Sequence, residues 1–404
     1  MTERLYYADA YLTDFEATVL ERGEDRVYLE RSAFYPTSGG QAFDLGTLRA
    51  LGAEGNASAR VVDVIDEGER VAHVLEPGAA ASFSSGERVR GQIDWARRFD
   101  HMQQHSGQHL LSAVFQRELG FSTLSVHFGA EVSTLDLDVG ALSAEQLQRV
   151  EERANAAVFE NHEVSAQIEA TADGLRKPSA RQGALRVVTI ASLDRSACGG
   201  THVARTGEIG PILFRKLDRV RKATRVEFVC GARATRRARA DYAVIAKLGG
   251  LLGTSVDSLA EVVSSRLAEL KLQGADLRAT RERLDVYRAA ELYGAARTEA
   301  GAAGLAVALE RSAEGSLQDV RGLAQRYIEQ PRAVLLALVE RPAAILLAAS
   351  EDTGVDAGAV LKGALAAAGG RGGGTARVAQ GTVSDVAALS EVLGAVRARL
   401  GATP

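Results

Sequence analysis

The chain has 404 residues, of which 46% are hydrophobic and 25% charged, and its formal net charge is −4. This length predicts about two to four domains of a soluble globular protein, and the acidic balance argues against a protein that coats nucleic acid through overall charge. No apolar run approaches the ~20 residues that span a bilayer, which argues against a membrane partner, and Met1–Phe15 lacks the features of a secretory signal. Two cysteines, Cys198 and Cys230, exclude a disulfide framework, so we expect a cytoplasmic protein.

Residues 1–93 are predicted to form a small β-barrel, because short β-rich runs alternate there with turn residues. These runs are Arg26–Leu29, Arg60–Ile65, Arg70–Leu75 and Arg88–Ile93. The segment FYPTSGGQ, residues 34–41, lies between the first two runs. Its glycines fit a hairpin turn, and since no Gly-Lys-Ser/Thr ending follows, the segment is not a nucleotide-binding P-loop.

Residues 94–240 are predicted to mix helices and strands. We expect a helix from Asp100 to Leu119, because Asp100 can cap its start, apolar residues share one face and Gly120 can end it. Two strands are expected, at Val187–Leu193 and Val226–Cys230.

The histidines of this helix suggest a metal site. His101, His105 and His109 follow one another at intervals of four, and a spacing of i, i+4 places two imidazoles on one side of a helix. Far along the chain, Cys198 and His202 flank two glycines and a threonine, in a turn that lets both side chains reach one ion. A histidine pair alone is more often structural, but imidazole together with thiolate favours zinc.

A basic block follows the cysteine motif. From Arg215 to Arg239 there are ten basic and two acidic residues, a local net charge of +8. Such a block is often a solvated surface, yet its position next to the candidate metal ligands favours contact with phosphates.

The remainder of the chain is predicted to form a helical stalk over residues 241–298 and an α/β unit over 299–404. In this region, apolar residues recur every seven positions in a single row, so we expect a helical stalk or an antiparallel hairpin that packs through one stripe rather than a parallel coiled coil. The α/β unit contains strands at Val334–Val339 and Ala344–Ala348 and helices at Asp356–Ala367 and Val383–Leu400. The glycine run 369–374 between these helices is expected to be a loop, either flexible or able to approach phosphate.

The motifs resemble those of the alanyl-tRNA synthetase editing domain. HSGQH followed by two leucines, residues 105–111, is similar to its HxxxH element, and CGGTHV, residues 198–203, is similar to its CxxxH element. FYPTSGGQ with Asp44 and Gly46 is similar to the FYPxxGGQxxDxG segment of the preceding barrel.

The resemblance extends to most of the chain, in the family's order. Residues 125–137, SVHFGAEVSTLDL, are similar to a stretch of freestanding editing proteins of the AlaX type, and residues 369–380 are similar to the C-Ala (DHHA1) module. The implied fold is a multidomain α+β protein, with a β-barrel at 1–93, a zinc-binding editing domain at 94–240, a helical stalk at 241–298 and a C-Ala-like domain at 299–404.

The resemblance implies a Zn²⁺-dependent deacylase of alanine tRNA mischarged with serine or glycine. His105, His109, Cys198 and His202 are the implied metal ligands, whereas His101 precedes the motif and is expected at the helix start. Four protein ligands close a tetrahedral site, while catalysis needs an open position. We therefore expect either that one ligand is weak or withdrawn, His202 being the candidate, or that the metal becomes five-coordinate.

Further residues are assigned by position. Ser125 is our candidate for recognising the serine hydroxyl in catalysis, and Gly39, Gly40 and Gln41 are candidates for lining the substrate pocket or holding the terminal adenosine. The candidate tRNA-binding residues are Arg215, Lys216, Arg221, Lys222 and Arg371. A homodimer through the C-terminal half is a further candidate assembly, although the sequence does not decide the oligomeric state.

Two other functions are compatible with parts of the sequence. An RNA-binding protein with a purely structural zinc would also contain four ligands and a basic block. A phosphoesterase linked to a DHHA1 module would need an Asp-His-His triplet, but Asp100 and His101 are followed by Met102. A metallopeptidase is disfavoured because no His-Glu-x-x-His occurs. Since the barrel begins at residue 1 and leaves no room for an aminoacylation domain, we expect no synthesis of alanyl-tRNA.

Overall fold

The computed structural model describes residues 1–51, 57–170, 173–178, 183–300 and 304–401. The chain forms two compact units, Met1–Leu248 and Gly249–Pro404. Both units combine helices and sheets, which confirms the predicted multidomain α+β class. Among the described residues, no helix is long and apolar enough to cross a membrane.

The first unit opens with the predicted barrel, which is closed by six strands in the order β2-β3-β7-β6-β5-β8. Phe15, Phe34 and Leu48 lie in its core. Two of the six barrel strands, β2 and β5, were not among the runs predicted from the sequence. Both carry charged residues on their outward faces, and these residues weakened the β signal. The strands are β1 (Glu3–Arg4), β2 (Asp14–Arg22), β3 (Arg26–Leu29), β4 (Arg31–Ser32), β5 (Gly46–Ala50), β6 (Ser58–Glu67), β7 (Arg70–Leu75) and β8 (Arg88–Ile93).

The helix after the barrel, α1, spans Trp95–Leu119 and so begins earlier than the predicted Asp100. Asp94 caps it by accepting a hydrogen bond from the backbone N–H of Arg97, and Gly120 ends it with a φ of 72°. Asp100 is instead bound to Arg233 through both carboxylate oxygens. The helix was expected to start at Asp100 because an aspartate can cap a helix, but Trp95 and Phe99, one turn apart, extend its apolar face towards the N-terminus.

A four-stranded sheet, in the order β14-β15-β10-β9, and a three-stranded sheet, β11-β12-β13, complete the first unit around α1. Leu110, Leu111 and Phe115 of α1 join Phe228 of the larger sheet in one apolar core. The elements are β9 (Thr123–Phe128), β10 (Ser133–Leu137), α2 (Ala144–Phe159), β11 (Val164–Glu169), β12 (Leu185–Ile190), β13 (Asp194–Ala197), β14 (Ile212–Val220), β15 (Ala223–Cys230) and α3 (Gly231–Leu252), within which the division between the units falls.

The second unit is built on a five-stranded sheet in the order β16-β17-β18-β20-β19, in which only β16 and β17 pair in parallel among the described residues. The prediction of two buried strands is confirmed, and these strands, β17 and β18, lie at the centre of the sheet. The elements are α4 (Leu259–Ala300), β16 (Ala306–Glu314), α5 (Leu317–Tyr327), β17 (Ala333–Arg341), β18 (Ala344–Ala349), α6 (Ala357–Ala367), β19 (Arg371–Gly374), β20 (Val378–Thr382) and α7 (Val386–Leu400).

Two predictions for the second unit are wrong. The glycine run is not a loop: Arg371–Gly374 forms the edge strand β19, where Gly372 has no room for a side chain against Gln380 and Gly381 of β20. The stripe of the stalk does not pack either, since Leu270 and Leu277 of α4 are 63% and 67% exposed. The helix packs instead through small residues near its C-terminal end.

A buried ion pair joins α1 to the barrel. Arg98 and Asp44 are both fully buried, and the guanidinium donates to both carboxylate oxygens. Arg98 also donates to the carbonyl oxygens of Ala10 and Ala33, and the Asp44 carboxylate accepts the backbone N–H of Tyr35 at 2.7 Å. Because a buried charge without its partner is unfavourable, this pair specifies how the barrel and α1 meet.

We therefore expect Asp44→Asn to lower the free energy of unfolding of the first unit by about 3–5 kcal/mol, because Arg98 stays buried without its counter-charge. The matched control is Asp14→Asn, which removes the exposed partner of Arg90 and should change the free energy of unfolding by less than about 1 kcal/mol. Chemical denaturation of both variants measures the difference, and equal losses would contradict the structural role of the buried pair.

Candidate metal centre

Four side chains from distant parts of the first unit meet at one point. One nitrogen of each of His105, His109 and His202 and the sulfur of Cys198 all lie within 4.8 Å of one another. The three histidines are buried, and Cys198 is half-buried. The structure thus brings together the four residues that the sequence motifs singled out.

The helix α1 supplies two of these side chains from successive turns. The rings of His105 and His109 are 5.2 Å apart between centroids, and the ring of His202 lies 4.4 Å from the first and 4.7 Å from the second. The Sγ atom of Cys198 lies 3.4 Å from Nε2 of His105 and 3.4 Å from Nε2 of His202. The sulfur and the imidazole nitrogens therefore face a common centre.

The glycines of the cysteine motif allow the backbone to lie close to neighbouring side chains, and they do not form a left-handed turn. Neither Gly199 nor Gly200 is among the described residues with positive φ. A Cβ atom on Gly200 would collide with the ring of His105 and come within 3.0 Å of Gln41 Oε1. Glycine is required here because the loop backbone lies directly against the metal-facing histidine.

Each imidazole is oriented by a partner at its other ring nitrogen. Nδ1 of His105 lies 2.8 Å from Gln41 Oε1, Nδ1 of His109 lies 3.2 Å from Asp194 Oδ2, and Nδ1 of His202 lies 3.1 Å from Ser106 Oγ. Such contacts fix the ring orientation and leave Nε2 for a metal. The sequence offered no signal for Asp194 or Ser106 in this role.

Two hydrogen bonds fix the position of the Asp194 carboxylate. Its carboxylate accepts from Nε of Arg176 at 2.7 Å and from the hydroxyl of Ser196 at 2.8 Å. Burial alone would raise the pKa of this carboxyl, but His109 and Arg176 outweigh it and lower the pKa. A charged carboxylate therefore faces His109.

The electrostatics favour the metal-binding protonation states of Cys198 and His202 but not of His109. Burial lowers the pKa of His109, but the hydrogen bonds to Asp194 and Cys198 outweigh burial and raise it to about 9. Burial raises the pKa of the Cys198 thiol, but the charges and hydrogen bonds of His105, His202 and His109 outweigh burial and hold the pKa well below its usual value. Burial, with the neighbouring His105, lowers the pKa of His202 to about 3. A thiolate and a neutral imidazole are the forms that coordinate metal ions.

Gln41 reaches the centre from the barrel. Its side-chain Oε1, besides contacting His105, accepts the backbone N–H of Thr201 at 3.1 Å, and its Nε2 donates to the hydroxyl of Thr201 at 2.7 Å. Gly39 and Gly40 form a two-residue hairpin turn with φ of 59° and 89°. Gln41 thus ties the barrel to both metal-facing segments, and substrate binding by residues 39–41 stays a prediction.

A cavity of about 130 Å³, which we call the inner cavity, is lined by Gln41 and Phe128, which contact His105, but by none of the four candidate ligands. Gln41 and Phe128 form the side nearest the candidate ligands, and the ring of Phe128 lies 5.2 Å from that of His105. His101 also lines it, and its buried Nδ1 has no hydrogen-bond partner among the described residues. Burial lowers the pKa of His101 to about 4, which leaves the imidazole neutral.

His101 is thus outside the cluster of four, as expected, but it lies within α1 rather than at the helix start. Ser125 is exposed on β9, and its hydroxyl donates to Asp136 at 2.7 Å, which Arg225 binds from the other side. The structure gives Ser125 this surface partner and does not bring it into the cluster, so its catalytic role stays a prediction.

The predicted tRNA-binding residues are dispersed. Arg215 pairs with Asp241, and Lys216 pairs with Asp218 at 2.9 Å. Arg221 and Lys222 are exposed at the turn between β14 and β15. Arg371 is exposed on β19 in the second unit. Their contacts with tRNA stay predictions.

Parts of the first unit match known protein families. Residues 7–97 match the family of class II (A) tRNA synthetases, and residues 185–226 match the second additional domain of threonyl and alanyl tRNA synthetases. The structure is also similar to the C-Ala domain of the Aquifex aeolicus alanyl-tRNA synthetase, at 19% identity and a TM-score of 0.21 over 23% of this chain and 89% of that one. A TM-score this low carries no weight for fold or function.

Two kinds of curated relative are similar to longer stretches. An alanine–tRNA ligase of Pyrococcus abyssi is 30% identical over 97% of this chain, which spans only 43% of that ligase. The alanyl-tRNA editing protein AlaX-M of Methanosarcina acetivorans is 35% identical over 56% of this chain and 97% of its own length. Since nearly the whole of that editing protein is matched, the chain belongs to the family of alanyl-tRNA editing proteins.

Proposed function

We propose that the protein hydrolyses the ester bond of alanine tRNA that carries serine or glycine, at a zinc ion held by His105, His109, Cys198 and His202. The observation that carries this proposal is the convergence of three imidazoles and a thiolate at one point. The names and matched regions of the relatives support the choice of substrate.

The donor set fits zinc. Bond lengths of about 2.3 Å to sulfur and 2.0–2.1 Å to nitrogen, at tetrahedral angles, place sulfur and nitrogen about 3.6 Å apart. The two distances from Cys198 Sγ to imidazole Nε2 atoms, both 3.4 Å, are close to this value. Thiolate combined with imidazole also selects zinc over magnesium or calcium, which prefer oxygen ligands.

Zinc bound here would act as a Lewis acid towards the ester carbonyl and would favour deprotonation of water. The chain itself supplies orientation: Gln41, Asp194 and Ser106 hold the three rings in place. The apolar ring of Phe128 packs against the ring of His105, at 5.2 Å between centroids. Four protein ligands would leave no open position, and His202 would be the most weakly oriented of them, because only the hydroxyl of Ser106 holds its Nδ1.

A second hydrolytic site on alanine tRNA has a physical reason. A pocket that accepts alanine rejects glycine or serine only weakly, since one methylene or hydroxyl changes binding by about 1–3 kcal/mol. An editing site removes the wrong residue after attachment. The family of this chain agrees with that role.

Replacing Asp194 by Asn should lower the affinity for zinc by about 10–100-fold, because the amide no longer offers a charged acceptor to Nδ1 of His109. Competition with a chromophoric chelator measures the affinity. Asp138→Asn, an exposed carboxylate next to β10, is the control and should bind zinc like the unaltered protein. Equal affinities for the two variants would contradict the positioning role of Asp194.

The activity is tested by offering the purified protein alanine tRNA charged with serine, glycine or alanine. We expect rapid release of serine or glycine, slow release of alanine, and loss of activity with chelator that added zinc restores. Loss of the metal removes several kcal/mol of transition-state stabilisation, hence about 100-fold or more in rate. Rapid hydrolysis of alanyl-tRNA, or activity indifferent to chelator, would reject the proposal.

Cys198→Ala separates a catalytic zinc from a structural one. We expect this variant to keep its circular dichroism spectrum and cooperative unfolding while it loses deacylation, because the core around α1 is apolar and extends well beyond the centre. A structural zinc would instead make the variant unfold, since structural sites contribute folding free energy. If the Cys198→Ala variant unfolds while the unaltered protein binds tRNA, the alternative of an RNA-binding protein with a structural zinc would be favoured.

The exposed turn between β14 and β15 provides a test of tRNA contact. Replacing Arg221 and Lys222 by Gln should weaken tRNA binding and reduce the slope of log affinity against log salt by about 2, one for each lost phosphate contact. The matched control replaces Arg88 and Arg90, two exposed arginines of the barrel, by Gln. If both double variants show the same salt dependence, the turn makes no phosphate contacts.

A further inference from the structure

The segment that carries Cys198 is bound by one half-buried arginine. Arg186, the second residue of β12, donates through Nη1 to the carbonyl oxygen of Cys198 at 2.9 Å and to that of Gly200 at 2.8 Å. The backbone carbonyl oxygen of Arg186 also accepts the N–H of Cys198 at 3.0 Å. Arg186 therefore binds the backbone on both sides of Gly199.

The conformation of residues 198–200 determines where the sulfur lies. The backbone N–H of Gly200 donates to Sγ of Cys198 at 3.4 Å, and the Gly200 backbone lies so close to the ring of His105 that a Cβ atom would collide with it. Glycine loses more conformational freedom on folding than any other residue, so a segment with two glycines needs bonds from its surroundings to keep one conformation. The two bonds from Arg186 are of this kind.

The guanidinium group of Arg186 has no acidic partner. Among the described residues it forms no ion pair, and its buried Nε has no hydrogen-bond partner. Its Cζ atom lies 5.4 Å from the centroid of the Tyr7 ring, a cation–π contact. Because burial of a charged group is unfavourable unless hydrogen bonds compensate for it, the two carbonyl oxygens are the main partners of this charge.

Arg186 is not part of the wall of the inner cavity. Together with Tyr7, Tyr11 and His202 it lines another cavity, of about 160 Å³, and no described residue lines both. The side chain therefore contacts the backbone of the cysteine motif rather than the cavity that Gln41 and Phe128 line.

We propose that Arg186 is a positioning residue of the metal centre, which holds residues 198–200 in the conformation that presents the sulfur of Cys198 to a metal ion. It does for the sulfur what Gln41, Asp194 and Ser106 do for the imidazoles. Without its two bonds the segment relaxes and the metal loses its thiolate, while the three imidazoles keep their own partners. The inference rests on the proposed function only for the presence of a metal ion.

The test uses three variants of the full chain. Arg186→Met removes both donors and keeps an unbranched side chain, and Arg186→Lys, whose side chain is shorter by one atom, keeps the charge but does not reach both carbonyl oxygens. The matched control is Arg31→Met, because Nε of Arg31 donates to a carbonyl oxygen of the barrel, that of Glu16, at 3.0 Å. Chemical denaturation shows which variants fold, and the lysine variant carries the test if the methionine variant does not.

The first measurement is hydrogen exchange of the metal-free protein. We expect the amides of residues 200–203 to exchange about tenfold faster in Arg186→Met than in the control, with a smaller change in Arg186→Lys, because two hydrogen bonds are lost. These amides report on the segment, since those of Gly200, Thr201 and Val203 all donate hydrogen bonds. Unchanged exchange in both Arg186 variants, or equal acceleration throughout the first unit, would overturn the proposal.

The second measurement is Co²⁺ binding, followed by absorption and by competition with a chelator. In the Arg186 variants the thiolate-to-cobalt charge-transfer band should weaken and the affinity should fall by about 10–100-fold, the effect typical of residues that orient metal ligands. Arg31→Met should match the unaltered protein. A charge-transfer band of full intensity in both Arg186 variants would overturn the proposal, because the sulfur would still bind the metal.

These measurements are independent of hydrolysis. A protein that shows the expected changes in exchange and absorption but deacylates no charged tRNA would retain the role of Arg186 and reject the hydrolase. Normal deacylation by Arg186→Met, with unchanged exchange and absorption, would reject the role of Arg186 and retain the hydrolase.

Discussion

The orientation of three imidazole rings is the constraint on which the metal centre depends. A ring that is free to rotate about its χ2 torsion presents Nε2 to a metal only part of the time, so each ring needs a second contact. Gln41, Asp194 and Ser106 provide these contacts from the barrel, from β13 and from α1 itself. The centre is therefore a property of three assembled segments and not of the two sequence motifs alone.

The barrel takes part in this arrangement of the candidate ligands. Gln41 leaves the barrel through a two-residue hairpin turn and contacts both His105 and Thr201. The buried pair of Arg98 and Asp44 fixes α1 against the same barrel. A shift of α1 along the barrel would break both sets of contacts together, and the close approach of Gly200 to the His105 ring leaves little tolerance for such a shift.

Much of the fold could be predicted from the sequence because its signals are local, whereas the choice of His105 and His109 over His101 came from the resemblance to the editing domain. Alternation and turn residues identified four barrel strands, and the spacing of His105 and His109 on a helix is independent of tertiary structure. The orienting residues could not be found this way, since Asp194 lies 85 positions from its histidine and carries no motif. The glycine run of β19 was predicted to be a loop. It forms a strand because it pairs with β20, not because its own residues favour a strand.

The ion pairs of the first unit show how its basic residues are used. The chain has a net charge of −4, although its first unit contains a basic block. Part of this block forms ion pairs within the protein, since Arg215, Arg225 and Arg233 each bind an aspartate. Local charge in a sequence therefore overstates the number of groups that a nucleic acid can contact.

The convergence of one sulfur and three nitrogens on a single ion is tested most directly by X-ray absorption at the zinc edge of the loaded protein. We expect one sulfur at about 2.3 Å and three nitrogens at about 2.0–2.1 Å. A first shell of oxygen and nitrogen without sulfur, or two zinc ions bound per chain, would contradict the account.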